Sequence, residues 1–325
     1  MKVLGYSRED LLRRCNPSVL YGARRMRLEQ GQGLVEVKTA AGLRFTLLED
    51  KCLDILELEY KGNNLGFLSK NGLVNENNPE TDSFTRYWQG GFLSTCGLRN
   101  MGPACSIDGE FFPLHGRIGT MPAEPVNVCV NEELISISGI VRESAMFGHC
   151  LELHRNIEVP SDGAVLTVKD VLYNLTPEPE HIFMLYHINF GFPFLSEALS
   201  AKFPEGEVRG RTPEAQSVID SHTVFSAPID GESEHVFFHI PKEERPKVTL
   251  TNKQLGISAE ISYSAKQLPV LAQWKCMKSG DYALGIEPST NFIHGRDKEL
   301  EKGYDVVIPG FGTLEYGFSL RLGGL

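Results

Sequence analysis

The chain has 325 residues, is 41% hydrophobic and 23% charged, and spreads 32 glycines and 18 prolines along its length, which excludes a disordered polymer and indicates a turn-rich globular protein. A formal net charge of -10, with no basic run longer than Arg24-Arg25, argues against nucleic acid or an anionic membrane as partner and for a small ligand. Seven cysteines without a CxxC pair, an N-terminus without an apolar signal core and no apolar run near the roughly 20 residues of a bilayer span point to a reduced, cytoplasmic protein. Ser7 with Asp10 predicts the cap of one short helix carrying Leu11, Leu12 and Cys15, which ends before Asn16-Pro17. After it the periodicity predicts strands at 33–38, 43–48, 53–60, 133–141, 150–159, 164–173, 181–190, 234–240, 256–264, 268–276, 282–287, 304–308 and 313–322. Turn signals such as Asp108-Gly109, Ser161-Asp162-Gly163 and Ser279-Gly280-Asp281 separate them. Helices long enough to alternate with these strands are missing, so the expectation is an all-β fold. It takes the form of a large antiparallel β-sandwich, one domain over residues 1–325, with long loops at 71–87 and 196–216.

Several of these segments carry groups that a β core would not choose. In order, they are Asp54 in the run after Lys51-Cys52-Leu53, Arg99 in Thr95-Cys96-Gly97-Leu98-Arg99-Asn100, and the loop Leu114-His115-Gly116-Arg117. His181 to Gly191 is the most informative. Its alternation puts Ile182, Met184, Tyr186, Ile188 and Phe190 on one face, and Phe183, Leu185, His187 and Asn189 on the other. A buried imidazole and amide need partners, so this face reads either as a satisfied core histidine or as the wall of a cleft. Lys275 follows Trp274 in a later strand, and Trp88 and Trp274 could stack on a sugar ring or serve the core. Asp281 to Pro288 then places Glu287 on a face whose other members, Ala283 and Gly285, are the smallest available, which leaves room above the sheet. No GxSxG elbow, P-loop, strand-borne GxGxxG or HExxH is present, although His115, His187 and Glu287 could in principle form a two-histidine, one-carboxylate metal site.

Taken together, Gly42 to Thr46, Asp50 to Ile55, Thr95 to Leu98, Leu114 to Arg117, Tyr186 to Gly191, Trp274-Lys275 and Gly285 to Pro288 resemble, colinearly, the aldose 1-epimerase or galactose mutarotase-like superfamily. Within it the chain looks closest to a branch catalogued as a domain of unknown function. The resemblance implies a large antiparallel β-sandwich and a sugar 1-epimerase (mutarotase) that interconverts anomers of a monosaccharide by acid/base catalysis. His187 takes the place of the acid, Glu287 that of the base and His115 that of a substrate-binding histidine, with Asn189, Arg117, Lys275, Arg99 and Asp54 as further candidates for substrate binding. No metal or organic cofactor is demanded. Arg117, Lys275 and Arg99 could favour an anionic carbohydrate. Two other readings use the same cleft: a carbohydrate-binding protein without turnover, and an isomerase or lyase that enolises next to a carbonyl. Oligomeric state and the identity of the sugar are left open.

Overall fold

The computed structural model describes residues 3–73 and 84–325. The helix Arg8–Leu12 begins where its cap is predicted: Ser7 accepts from the Asp10 backbone N–H and Asp10 returns the bond. Strands dominate the rest of the described chain, and their ladders are antiparallel. A five-stranded meander runs Gly22–Arg27, Gly33–Lys38, Leu43–Leu48, Asp54–Tyr60 and Asn63–Asn64. An eight-stranded sheet has the order Leu199–Lys202, Lys247–Asn252, Ile257–Tyr263, Thr313–Gly324, Val165–Asn174, Cys150–Pro160, Leu134–Ser144 and Ala123–Val130. A seven-stranded sheet runs Gly206–Gly210, His235–Pro241, Val270–Lys278, Asp281–Ser289, Glu180–Phe190 and Val306–Ile308, with Leu93–Leu98 also paired to Glu180–Phe190.

Burial explains why the sheets stack. Along Leu134–Ser144 buried and half-exposed side chains alternate, as in a strand with one wet face. Along Glu180–Phe190 nine consecutive residues from Ile182 are buried, because both faces are covered. Its Ile182, Met184, Tyr186, Ile188 and Phe190 face join Phe45, Leu153, Leu250 and Leu320 in one core drawn from all three large sheets. Its Phe183 and Leu185 face joins Val236, Phe238 and Ala272 in a second cluster on the far side of the seven-stranded sheet. His187 and Asn189 lie on that far side.

The large core also encloses an ionic network. Arg155 is fully buried and bonds Asp170 through Nε and Nη2 at 3.0 and 2.7 Å and Asp54 through Nη1 at 2.7 Å, while Tyr186 donates its hydroxyl to Asp170 at 2.7 Å. Asp54 accepts further bonds from the Thr95 N–H and hydroxyl. A buried guanidinium is tolerated when its donors find carboxylates, and that is what Asp54 supplies.

Two expectations about loops are corrected. Residues 196–216 include the strands Leu199–Lys202 and Gly206–Gly210 and the helix Pro213–Ser217. Of 71–87, residues 74–83 lie outside the described residues, and Phe84–Tyr87 is a short helix. Among the described residues no helix is long and apolar enough to cross a membrane.

Candidate active site

The register of two neighbouring strands builds the centre of the site. Asn189 pairs with Gly285 and Ile188 with Ile286, so the same register sets His187 beside Glu287 on the face away from the large core. His187 Nε2 lies 3.3 Å from Glu287 Oε1, and both side chains are buried. The carboxyl group folds back over Gly285. A Cβ at Gly285 would stand 2.3 Å from Glu287 Oε1 and 2.9 Å from the Trp274 Cβ, so the missing side chain is what makes room for it.

Hydrogen bonding fixes the imidazole. Asn189 donates through Nδ2 to the carbonyls of Gly91 and His187 at 2.9 and 3.1 Å, which orients its amide so that Oδ1 accepts from His187 Nδ1. With Nδ1 protonated, the neutral ring turns the lone pair of Nε2 toward Glu287. Burial holds the His187 pKa down to about 4, with the Asn189 bond opposing that shift. Burial also pushes the Glu287 carboxyl well above the usual carboxylate range, with Glu234 adding to the shift and Arg211 opposing it. Glu287 Oε1 has no hydrogen-bond partner among the described residues, which further penalises its ionised form. Burial thus disfavours the charged form of both members of the pair.

His115 faces this pair from a loop pinned to Leu93–Leu98. His115 itself has a φ of 61°, in the left-handed region, and its loop is anchored where Gly97 N donates to the His115 carbonyl at 3.0 Å and Arg117 N to Gly97 O at 2.9 Å. Only glycine fits at 116, where a Cβ would be 1.9 Å from the Gly97 carbonyl oxygen. Gly102 N donates to His115 Nδ1 at 3.4 Å, so this ring carries its proton on Nε2 and presents a donor. Burial, then the neighbouring His187 and Arg211, lower its pKa to about 3, which keeps it neutral. Its ring centroid is 6.0 Å from that of His187.

Aromatic rings close the walls. Trp88 and Trp274 lie 5.3 and 5.4 Å from the His187 ring and 5.8 Å from each other, edge to face, with Phe67 and Phe84 beside them. Trp274 Nε1 donates to Glu234 at 2.7 Å and Trp88 Nε1 to Ser94 at 3.2 Å. These groups border a cavity of about 720 Å³ that His115, His187 and Glu287 also line. Such a surface offers apolar faces for the C–H side of a ring and a few convergent polar groups to orient it.

The other candidates lie elsewhere. Asn189 is fully buried behind His187 and is outside the cavity wall. Lys275 is on the opposite face of its strand, because Trp274 pairs with Gly285 and Ala272 with Glu287; its Nζ donates to the Ser221 carbonyl at 2.8 Å. Arg99 is engaged by Glu110 and by Glu180, the latter at 2.9 Å. Arg117 turns away from the cavity, with Nη2 donating to the Phe111 carbonyl at 2.6 Å. Asp54 belongs to the Arg155 network. Each of these four charges sits where a partner within the fold already satisfies it. Among the described residues no group of three or more His, Cys, Asp or Glu side chains is arranged to hold a metal.

Among the cavity-lining residues that the sequence did not single out are Arg211 and Glu234. Arg211 follows the strand Gly206–Gly210 and precedes Thr212, the N-cap of Pro213–Ser217. The signal available was only the unusual length of the segment containing it.

A family profile described as a domain of unknown function, DUF4432, matches residues 29–322. The chain belongs to the DUF4432 family. No curated protein matches it by sequence. Among solved structures, a candidate aldose 1-epimerase from Klebsiella pneumoniae superposes with a TM-score of 0.85 at 23% identity, covering 93% of this chain and 83% of that one. A galactose mutarotase-like protein from Clostridium acetobutylicum gives 0.70 at 14% identity, covering 94% and 99%. Galactose 1-epimerase from Lactobacillus acidophilus gives 0.64 at 13% identity, again covering 94% and 99%. At these identities the likeness establishes that this DUF4432 chain has the galactose mutarotase-like fold; it says nothing by itself about turnover.

Proposed function

We propose that the protein is a cofactor-independent sugar 1-epimerase in which Glu287 is the base and His187 the acid. The observation that carries this reading is the buried His187–Glu287 contact of 3.3 Å, an acid/base pair set under a wall of aromatic rings. Ring opening of a pyranose needs a proton removed from the anomeric hydroxyl and one delivered to the ring oxygen. Glu287 takes the first, the bond from C1 to the ring oxygen breaks with its electron pair on that oxygen, and His187 Nε2 supplies the second. The aldehyde then rotates about its bond to C2, and the reverse transfers close the ring on its other face.

The electrostatics support this direction. Opening starts from the carboxylate and imidazolium and ends with both groups neutral, and the neutral pair is the form that burial favours. That preference offsets part of the cost of the open chain. A bound sugar supports the starting ion pair in turn, because its hydroxyl donates to the carboxylate and its ring oxygen accepts from the imidazolium. His115 Nε2–H is suited to donate to a ring hydroxyl, and Trp88 and Trp274 to pack on the ring's C–H face. Each positioned proton-transfer group contributes on the order of 10²- to 10⁴-fold, enough for a reaction that water already catalyses slowly. The solved structures named as aldose and galactose 1-epimerases are consistent with this reading.

The test is exchange NMR of anomer interconversion over a panel of sugars, with the wild type, His187→Ala and Glu287→Gln. The expected outcome is acceleration of at least one sugar by the wild type, with both variants returning it to the buffer rate. Binding of sugars with no accelerated exchange would replace this reading by a carbohydrate-binding one, and solvent deuterium appearing at carbon would replace it by enolisation.

A further inference from the structure

Among the described residues three lysine or arginine cations line the cavity: Lys70, Arg211 and Lys278. Lys70 Nζ is 2.8 Å from Asp281 Oδ2, and Lys278 is exposed at the rim. Arg211 differs from both. It is half-buried, and among the described residues its guanidinium has no carboxylate within ion-pair distance and no hydrogen-bond acceptor; its bond is from the backbone N–H to Val236 O at 2.8 Å. Of the acids on the same wall, Glu234 already accepts from Trp274 Nε1. A partly desolvated planar cation left unpaired inside a cavity is costly unless the occupant pairs with it.

The backbone around Arg211 is held on both sides. Gly210 N donates to Gln216 Oε1 at 2.8 Å, and a Cβ at Gly210 would be 2.2 Å from Gln216 N. Thr212 Oγ1 accepts from Ala215 N at 3.2 Å and caps the helix Pro213–Ser217. The guanidinium is thus displayed from a fixed backbone rather than from a free loop, which lowers the cost of ordering it on a ligand.

We propose that Arg211 sets the specificity of this cavity, and that its occupant is a sugar carrying a single carboxylate, a uronate. The assignment rests on the sugar-epimerase reading above and deepens it. A guanidinium fork matches a carboxylate with two parallel bonds. A monoanion is the simplest match to one guanidinium fork, and a charge near -2 would also meet Glu232 and Glu234 on the same wall, with Arg211 and the exposed Lys278 to answer it. A neutral hexose could offer Arg211 hydroxyl acceptors but no opposite charge.

Methyl uronosides test the assignment independently of turnover, since the methyl group blocks ring opening. Binding of methyl galacturonoside and methyl glucuronoside is compared with that of the neutral methyl galactoside and glucoside and with galactose 6-phosphate. Calorimetry is run on the wild type, Arg211→Gln and Arg211→Lys, with melting temperature as the check on folding. The expected result is that a uronoside binds the wild type roughly 10- to 100-fold more tightly than its neutral counterpart. Arg211→Gln should remove that advantage, Arg211→Lys should keep part of it, and added salt should shrink it. Equal binding of acidic and neutral sugars, an advantage that survives in folded Arg211→Gln, tighter binding of the phosphate, or no uronoside binding at millimolar concentration would each overturn it. Uronoside binding through Arg211 with no acceleration of free uronate anomer exchange would leave Arg211 assigned and remove the epimerase reading instead.

Discussion

Replacing Gly285 with alanine probes the active pair without touching either member of it. The backbone there permits alanine, since Gly285 has no left-handed φ, but the new Cβ would stand 2.3 Å from Glu287 Oε1. An ordinary carbon-to-oxygen contact is about 3.3 Å, so the carboxyl must retreat by about 1 Å. A misplacement of about 1 Å in a proton-transfer group can cost on the order of 10²-fold in rate. The Trp274 Cβ, 2.9 Å from the same point, is close to the backbone and moves less easily than the end of a glutamate, so some overpacking strain is also expected, about 1–3 kcal/mol. Exchange NMR on a sugar that the wild type turns over should therefore show kcat lowered by roughly 100-fold in Gly285→Ala. KM should change less, because Trp88 and His115 are left in place. The melting temperature should fall by a few degrees at most while the fold persists by circular dichroism. If kcat stays within about threefold of wild type in a folded variant, Glu287 does not act from the position over Gly285, and the assignment of base is wrong.

Three further outcomes are expected of the buried groups. With His187 held down to about 4 and Glu287 pushed above the usual carboxylate range, kcat/KM should be a broad bell. Below the lower limit His187 gains a second proton and the base is lost; above the upper limit the pair gives up its last proton and the acid is lost, both limits belonging to the pair as a unit. An acid limb near the ordinary histidine range would contradict a buried, neutral His187. Asn189→Leu removes the acceptor that favours the charged imidazole, so the acid limb should move to lower pH while kcat falls and stability drops by about 1–3 kcal/mol for the stranded donor and carbonyl groups. Glu143 is a buried carboxyl whose pKa burial raises to about 7, with no hydrogen-bond partner for Oε1 among the described residues. Its folded pKa exceeds the unfolded one, so the protonated form is favoured and stability is lost as pH rises toward 7. Glu143→Gln should gain stability over wild type by about 1.4 kcal/mol per pH unit between pH 5 and 7, then level off, as read by chemical denaturation.

The β pattern was legible because most strands announce themselves by alternation or by a continuous apolar run. The thirteen expected strands all have counterparts, displaced by no more than two residues at most of their ends. Three of the strands that escaped notice did so for identifiable reasons. Leu93–Leu98 reads Leu-Ser-Thr-Cys-Gly-Leu, with small polar residues at its centre, and is a strand because both its faces are covered and it pairs with the His187 strand. Gly22–Arg27 carries three arginines and four consecutive exposed residues, as an edge strand protected from further pairing by charge. Ala123–Val130 is an edge strand of the eight-stranded sheet, and Pro125 within it concealed the pattern.

For the site, parity within one strand was readable and pairing between strands was not. Period-two alternation put His187 with Asn189, and Glu287 with Gly285 and Ala283, and the opposite faces of both strands are the ones that enter the large core. It also put Lys275 with Gln273 on one face of the strand Val270–Lys278. Whether that was the face of Glu287 depended on the register, and Ala272 rather than Gln273 stands opposite Glu287. One residue of register thus separates a lysine in the site from a lysine behind it. Arg99, Arg117 and Asp54 misled for a different reason, since a charge in an apolar run signals only that a partner exists. The partners of Arg99 and Asp54 are Glu110, Glu180, Arg155 and Thr95, and Arg117 donates to the Phe111 carbonyl, so their pairing stabilises the fold. Arg211 inverts that logic: it sits in a polar segment where a charge attracts no notice, yet among these arginines its guanidinium is the one left without a protein partner among the described residues, and an unanswered charge in a cavity is the better guide to a ligand.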